Sequence, residues 1–199
     1  LVEDLLALTR AEGTRLDRKA VDMQKVVDSA TASARAAYPE RSIEVDNQCV
    51  RPPMVNGDPD RLHQVLMNLI NNAFKHGGSD VDVTITLREN LDRIVIEVAD
   101  NGRGMAEEDA ARIFDRFYRA DASRHRAGGG GSGLGLAITK SLIEQHEGTI
   151  TVDTAPGEGA TFKISLPLLR EVNGATATKA TKATKAAQPA KDAKTPEKD

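Results

Sequence analysis

The chain is poor in the residues that mark several functional classes. It holds one cysteine among 199 residues, Cys49, so no internal disulfide can form and cysteine-rich zinc or redox sites are excluded. A lone, small, weakly polar thiol suits a reducing compartment. Tryptophan is absent, and two Tyr and four Phe leave little aromatic surface on which bases could stack. No run approaches the roughly 18 apolar residues that a membrane span requires, and no basic stretch followed by an apolar one opens the chain. The first residue is Leu1 rather than Met, as in a piece cut from a longer protein. Positive charge is also scarce. The net charge is -3, and Asn173 to Asp199 holds six Lys against Asp192, Glu197 and Asp199, so that segment carries +3 and the remainder -6. That sign argues against a nucleic-acid partner.

What is present, 39% hydrophobic and 29% charged residues, fits one soluble domain with attachments. Residues 171–199 contain Ala, Thr, Lys and Pro with little that could be buried, and are expected to form a disordered tail. Leu1, Val2, Leu5, Leu6 and Leu8 recur at helical spacing up to Gly13, as the end of an amphipathic helix would. A second helix is expected between Val21 and Pro39 with Asp22 as its N-cap, followed by a strand over Ser42 to Val50. The clearest pattern lies in Asp58 to Gly77. Asp58 caps, Pro59 takes the first helical position, and Leu62, Val65, Leu66, Leu69, Ile70, Ala73 and Phe74 keep helical spacing. Val81 to Leu87 and Ile94 to Val98 alternate as strands. Thr149 to Asp153 and Ala160 to Pro167 form a hairpin around Pro156 and Gly157, and a helix is expected from about Gly133 to His146. The sum is an α+β sandwich: a mixed, mostly antiparallel sheet with helices on one face.

Three clusters on this scaffold could carry chemistry. On the Asp58 helix, at about 100° per residue, Asn68, Asn72 and Lys75 fall within about 60° of one another and opposite the apolar stripe. An Asn oxygen is a hard, neutral ligand suited to Mg²⁺, and a neighbouring Lys can meet phosphate oxygens on the same ion; a solvated helix face is the plainer reading. Asp100-Asn101-Gly102-Arg103-Gly104 follows directly on a strand. A carboxylate there can accept a hydrogen bond from an exocyclic amine such as adenine's, and glycines let a flat ring approach, although Asp-Asn-Gly is also ordinary turn chemistry. The run Gly128 to Gly135, with Gly131, Ser132, Gly133 and Leu134, feeds into a helix whose first N–H groups could hold phosphate beneath a mobile lid. No strand precedes it and no Gly-Lys-Ser/Thr occurs, so neither a dinucleotide fingerprint nor a Walker loop is supported. Between the last two clusters, Phe114 and Phe117 are spaced to anchor a helix end, with Arg116 and Arg119 beside them.

Taken together, Asn68-Leu-Ile-Asn-Asn72-Ala-Phe-Lys75-His76, Asp100-x-Gly102-x-Gly104, Phe114-x-x-Phe117 and Gly131-x-Gly133-Leu-Gly135-Leu resemble, in order, the N, G1, F and G2 boxes of bacterial sensor histidine kinases. The resemblance spans roughly Leu1 to Leu169. It implies the Bergerat-type ATP-binding fold over residues 14–170, preceded in residues 1–13 by the end of a dimerisation hairpin helix. It further implies Asn72 as Mg²⁺ ligand assisted by Asn68, Lys75 and His76 near the phosphates, and Asp100 reading the adenine amine in a pocket shaped by Gly102 and Gly104. Gly131, Ser132, Gly133, Leu134 and Gly135 would close over the triphosphate, with Arg116 as a phosphate contact. Gly157-x-Gly159-Ala160-Thr161 resembles the final glycine box, with Ala160 where Thr is often found.

Hydrolysing relatives carry Glu four residues before the metal Asn, whereas this chain has Asn68, an amide that cannot accept a proton at neutral pH. Transfer to an imidazole needs less help, since neutral histidine is already a nucleophile. None of His63, His76, His125 and His146 stands in the acceptor motif; His63, His125 and His146 read as surface positions. The implied function is therefore ATP- and Mg²⁺-dependent phosphoryl transfer to a histidine outside this chain. The partners would be an upstream acceptor hairpin, a response-regulator receiver domain and a second copy of a full-length membrane protein whose catalytic domain is cytoplasmic. The alternatives are a gyrase- or Hsp90-like ATPase switch, and a nucleotide-binding platform without transferase activity.

Overall fold

The computed structural model describes residues 15–78, 80–119 and 132–169. The expected hairpin-helix end at 1–13, the tail at 171–199 and the lid glycines up to Gly131 lie outside the described residues. A five-stranded sheet has the spatial order β2 (Ile43–Asn47), β4 (Val83–Asn90), β5 (Arg93–Asp100), β7 (Ala160–Pro167), β6 (Thr149–Thr154). Every pairing is antiparallel except β2 with β4, which run parallel with Ile43 opposite Val83. This is the mixed, mostly antiparallel sheet that the sequence predicts.

Alternation along the strands makes the two faces unlike. Val83, Ile85, Leu87, Ile94, Ile96, Val98, Phe162, Ile164 and Leu166 all point to the core. The other face carries Thr84, Thr86, Glu97, Thr161 and Lys163, and there Arg88, Glu97, Lys163 and Asp153 form a chain of ion pairs across four strands. Only the first face can take helices, and α1 (Met23–Ala37), α2 (Pro59–His76) and α4 (Gly135–Gln145) pack there.

The best-specified helix is α2. The Asp58 carboxylate accepts from the amides of Asp60 and Arg61, Pro59 occupies the first turn, and the Gly77 amide closes the far end on Ala73 O. All seven apolar residues of its stripe are buried, each large one contributing about 1.5–3 kcal/mol. At 18 residues the helix is about 27 Å long and spans the domain.

Three features differ from expectation. Val21 belongs not to the helix but to β1 (Lys19–Asp22), which pairs antiparallel with an unforeseen β3 (Met54–Gly57); α1 starts at Met23, still capped by Asp22. The strand expected to reach Val50 ends at Asn47, and Val50 is almost wholly exposed. Glu107–Ala110 forms a single helical turn, α3, too short to leave a period in the sequence.

Candidate functional site

The exit of β5 meets the end of α2. A Cβ built on Gly102 would sit 2.5 Å from Gly77 Cα and 2.7 Å from Asp100 Oδ1, so only glycine lets the two segments touch. The Arg103 amide donates to Gly77 O at 3.3 Å. Asn101 holds the neighbouring chain in place: its Oδ1 accepts the Asp82 amide at 2.9 Å and its Nδ2 donates to the Asp82 carboxylate at 3.2 Å. Asp100 is thereby fixed beside the C-terminal end of the helix that carries Asn72 and Lys75.

Asp100 is half-buried, and its Oδ1 accepts the Gly102 amide at 3.0 Å in a local turn. Burial pushes its carboxyl above the ordinary carboxylate range; the amides of Gly102 and Ala160 act in the opposite direction and do not offset it. A desolvated carboxylate of this kind is a strong acceptor for an amine that displaces water.

The other wall of this loop is the β6–β7 hairpin. Gly104 has φ +61°, and a Cβ there would run into Ala155 O. The Gly157 amide donates to Arg103 O at 2.7 Å, and Thr154 Oγ1 accepts the Met105 amide while donating to Gly159 O. Loop and hairpin therefore lock as one body, with Thr161 of β7 paired to Ala99.

Asn68 and Asn72 are half-buried on α2, one turn apart. Asn68 Nδ2 makes long contacts of 3.4 Å with Gly135 O and with the hydroxyl of Thr139, which itself donates to Gly135 O at 3.0 Å. Asn68 thus ties α2 to the first turn of α4, a role its helical position alone does not reveal. Asn72 and the exposed Lys75 make no side-chain hydrogen bond or ion pair among the described residues, which leaves both available to a ligand. His76 is half-buried on the next turn.

The lid-side residues divide. Gly133, at φ +73°, accepts the Phe117 amide at 3.0 Å and is pressed against Phe117 and Tyr118, where a Cβ would come within 2.8 Å of Tyr118 O. Ser132 is half-buried, its Oγ 3.4 Å from the Leu134 amide. Gly135 faces open space, with nothing within 4 Å of a built Cβ. The Leu134 side chain is buried in the core, so a nucleotide would meet this residue through its backbone. Of the paired phenylalanines, Phe114 packs edge-on against Phe162 at 6.2 Å, whereas Phe117 adopts φ +63° and is 55% exposed, so its ring is not part of the core. Arg116 is exposed beside it, and Gly131 lies outside the described residues.

His146 corrects the reading as a surface position. It is 4% exposed, at the end of α4, and its Nε2 accepts the Asp58 amide at 3.0 Å.

Among the described residues no group of three or more His, Cys, Asp and Glu could hold a metal ion. The donor set does fit Mg²⁺ shared with a polyphosphate, because such an ion takes most of its oxygens from phosphate and water and needs only one or two from the protein. Asn72 can supply one. No helix among the described residues is long and apolar enough to cross a membrane.

Known proteins share this fold. The family model described as histidine kinase-, DNA gyrase B-, and HSP90-like ATPase matches residues 57–170. The probable sensor histidine kinase TcrY of Mycobacterium tuberculosis is 41% identical over 169 residues, 84% of this chain but 35% of TcrY, so the chain spans about a third of that relative's length. The solved structure of the mycobacterial sensor histidine kinase MprB superposes with a TM-score of 0.67 at 29% identity, covering 75% of this chain and 98% of that one. Full-length ShkA, solved in complex with AMPPNP, gives 0.71 at 29% identity over 85% of this chain and 35% of its own.

Proposed function

Because the chain belongs to the family of histidine kinase-, DNA gyrase B- and HSP90-like ATPases, and carries the ATP-binding catalytic domain of the sensor histidine kinases within it, we propose that it transfers the γ-phosphoryl group of ATP to a histidine on a helix outside these residues. The observation that carries this reading is the meeting of Gly102 with Gly77, which sets Asp100 beside the helix whose Asn72 and Lys75 are unengaged among the described residues.

In this reading the adenine amine donates to Asp100, with Gly102 and Gly104 leaving room for the ring. Asn72 is the protein ligand of Mg²⁺, and Lys75 meets the phosphates. The ion would supply charge neutralisation on the β- and γ-phosphate oxygens. Ser132 and Gly133 to Gly135 approach the phosphates from the start of α4 and Arg116 from the segment held against Gly133, while Asn68 keeps that start on α2. A neutral imidazole nitrogen attacks phosphorus, the bond to the β,γ-bridging oxygen breaks, ADP leaves and the imidazole proton passes to water. Asn68 supplies no base for activating water, so hydrolysis is disfavoured against transfer.

The longer protein would carry the acceptor histidine on a dimerisation hairpin, pass the phosphoryl group to a receiver domain and hold this domain on the cytoplasmic side of a membrane, where ATP is found. Radiolabelled ATP and Mg²⁺ supplied with and without a separate acceptor hairpin test the proposal. Label is expected on the hairpin only; acid-labile label on this chain alone, or steady hydrolysis without any acceptor, would contradict it.

A further inference from the structure

The helices α2 and α4 run antiparallel, and α4 is fastened to α2 at both of its own ends. At one end Asn68 reaches Gly135 and Thr139. At the other, one residue past α4, the buried His146 ring is held between two backbone groups: Nδ1 lies 2.7 Å from Leu142 O, and Nε2 lies 3.0 Å from the amide of Asp58. A carbonyl can only accept and an amide can only donate. One form of the ring satisfies both: neutral, with its proton on Nδ1. Leu62, Leu66, Leu69, Leu134, Ile138 and Leu142 fill the space between the two fasteners.

The Asp58 end is the more consequential. Asp58 is 9% exposed and serves three elements at once: its Oδ1 caps α2, its Oδ2 accepts the Asp17 amide at 3.1 Å, and its own amide goes to His146. We propose that His146 is a positioning residue for phosphoryl transfer. In its neutral form it keeps α4, with Gly133 and Gly135 at its start, in axial register with the helix bearing Asn68, Asn72 and Lys75; protonation loosens that register. The inference rests on the function proposed above for the α2 face.

The surroundings bear on the neutral form. Gly57 stands against the ring, where a Cβ would lie 2.9 Å from Cδ2, so the ring can sit over the Asp58 amide only because residue 57 has no side chain. The charged groups facing it are the Asp58 carboxylate, which favours the imidazolium, and Arg18, which opposes it while paired with Glu147 at 2.7 Å. Arg93 donates to Glu147 O on the same side at 3.1 Å. Burial outweighs the favourable groups and holds the imidazole below its ordinary range. A cavity of about 50 Å³ bordered by Arg18, Asn56, His146 and Glu147 lies beside the ring, so a protonated imidazole can turn toward water or the Glu147 and Asn56 oxygens only by leaving the Asp58 amide.

Two variants of the chain separate register from bulk packing: His146→Gln, which keeps an acceptor near the Nε2 position and cannot titrate, and His146→Leu, which fills the space without one. Affinity for ATP with Mg²⁺ is read by calorimetry from pH 5 to 8, and amide hydrogen exchange at residues 135–139 is followed without nucleotide. The wild type should lose about fivefold in affinity toward the acid end, the size expected for one hydrogen bond. The Gln variant should match it at pH 8 and keep about fivefold more affinity than it at pH 5, protonation of the ATP phosphate being common to both, while the Leu variant should be weak throughout and exchange faster at 135–139. A Gln variant that follows the wild-type pH profile would overturn the proposal even if the Leu variant fails to fold. Failure of the wild type to bind ATP at any pH would instead overturn the functional reading, and pH-dependent exchange that vanishes in the Gln variant would still report the register.

Discussion

Gly102 rests directly on Gly77, two glycines from segments 25 positions apart joined without side chains between them. Gly102→Ala is therefore expected to cost about 1–3 kcal/mol, as overpacking does, and Gly104→Ala more, since φ +61° adds backbone strain to its clash with Ala155. Gly135→Ala should behave oppositely. Its Cβ meets nothing and it begins a helix, so stability should hold or rise by up to about 1 kcal/mol while ATP affinity falls. Urea denaturation and nucleotide titration on the three variants check the contrast; equal destabilisation by all three would refute it.

Asn72→Ala should leave the melting temperature nearly unchanged, because the amide has no partner among the described residues, and should reduce Mg²⁺-dependent ATP affinity by about tenfold or more. Lys75→Ala, at an exposed position, should weaken binding of ATP and ADP without altering dependence on the metal. Titrations with ATP in Mg²⁺ and in EDTA tell the two roles apart.

Asp100 gives a prediction with a sign. Its carboxyl is raised in the folded state, so the fold binds the proton more tightly than the unfolded chain does. The favourable contribution is full below the unfolded value and is lost as pH rises through the folded one. At neutral pH an ionised, half-buried Asp100 thus opposes folding. Asp100→Asn should melt higher than the wild type at pH 7, with the gap closing toward pH 4, and should discriminate ATP from GTP less well. Calorimetric melting at both pH values checks this, and a lower melting point at pH 7 would count against it.

How far the sequence could be read depended on the distance over which each signal acts. In α2 the cap, the proline and the stripe all lie within one segment and agree, and the structure returns each of them. The β6–β7 hairpin was equally plain, with Gly157 and Gly159 both at positive φ. Asp100 and Gly102 were legible as a turn, but their meeting with Gly77 depends on strand order, which no local pattern encodes. Val21 stands at the near bound of the expected helix and belongs instead to a strand, paired with Val55, 34 positions away. His146 looked like a surface residue because its partner, the Asp58 amide, is 88 positions distant. Leu134 was read with the glycines around it, yet its own side chain follows the apolar face of α4.

The small β1–β3 ribbon has a consequence for how the domain is carried. Lys19 pairs with Gly57, Val55 bridges to Leu168, and the Leu169 amide donates to Met54 O, so the first and last described strands leave from a common corner near Asp58. That corner is about a full helix length, roughly 27 Å, from Gly77 and the adenine side. A pull or a turn applied where the chain enters at β1 and leaves after β7 therefore acts on one end of the body, and reaches the adenine side only through the length of α2.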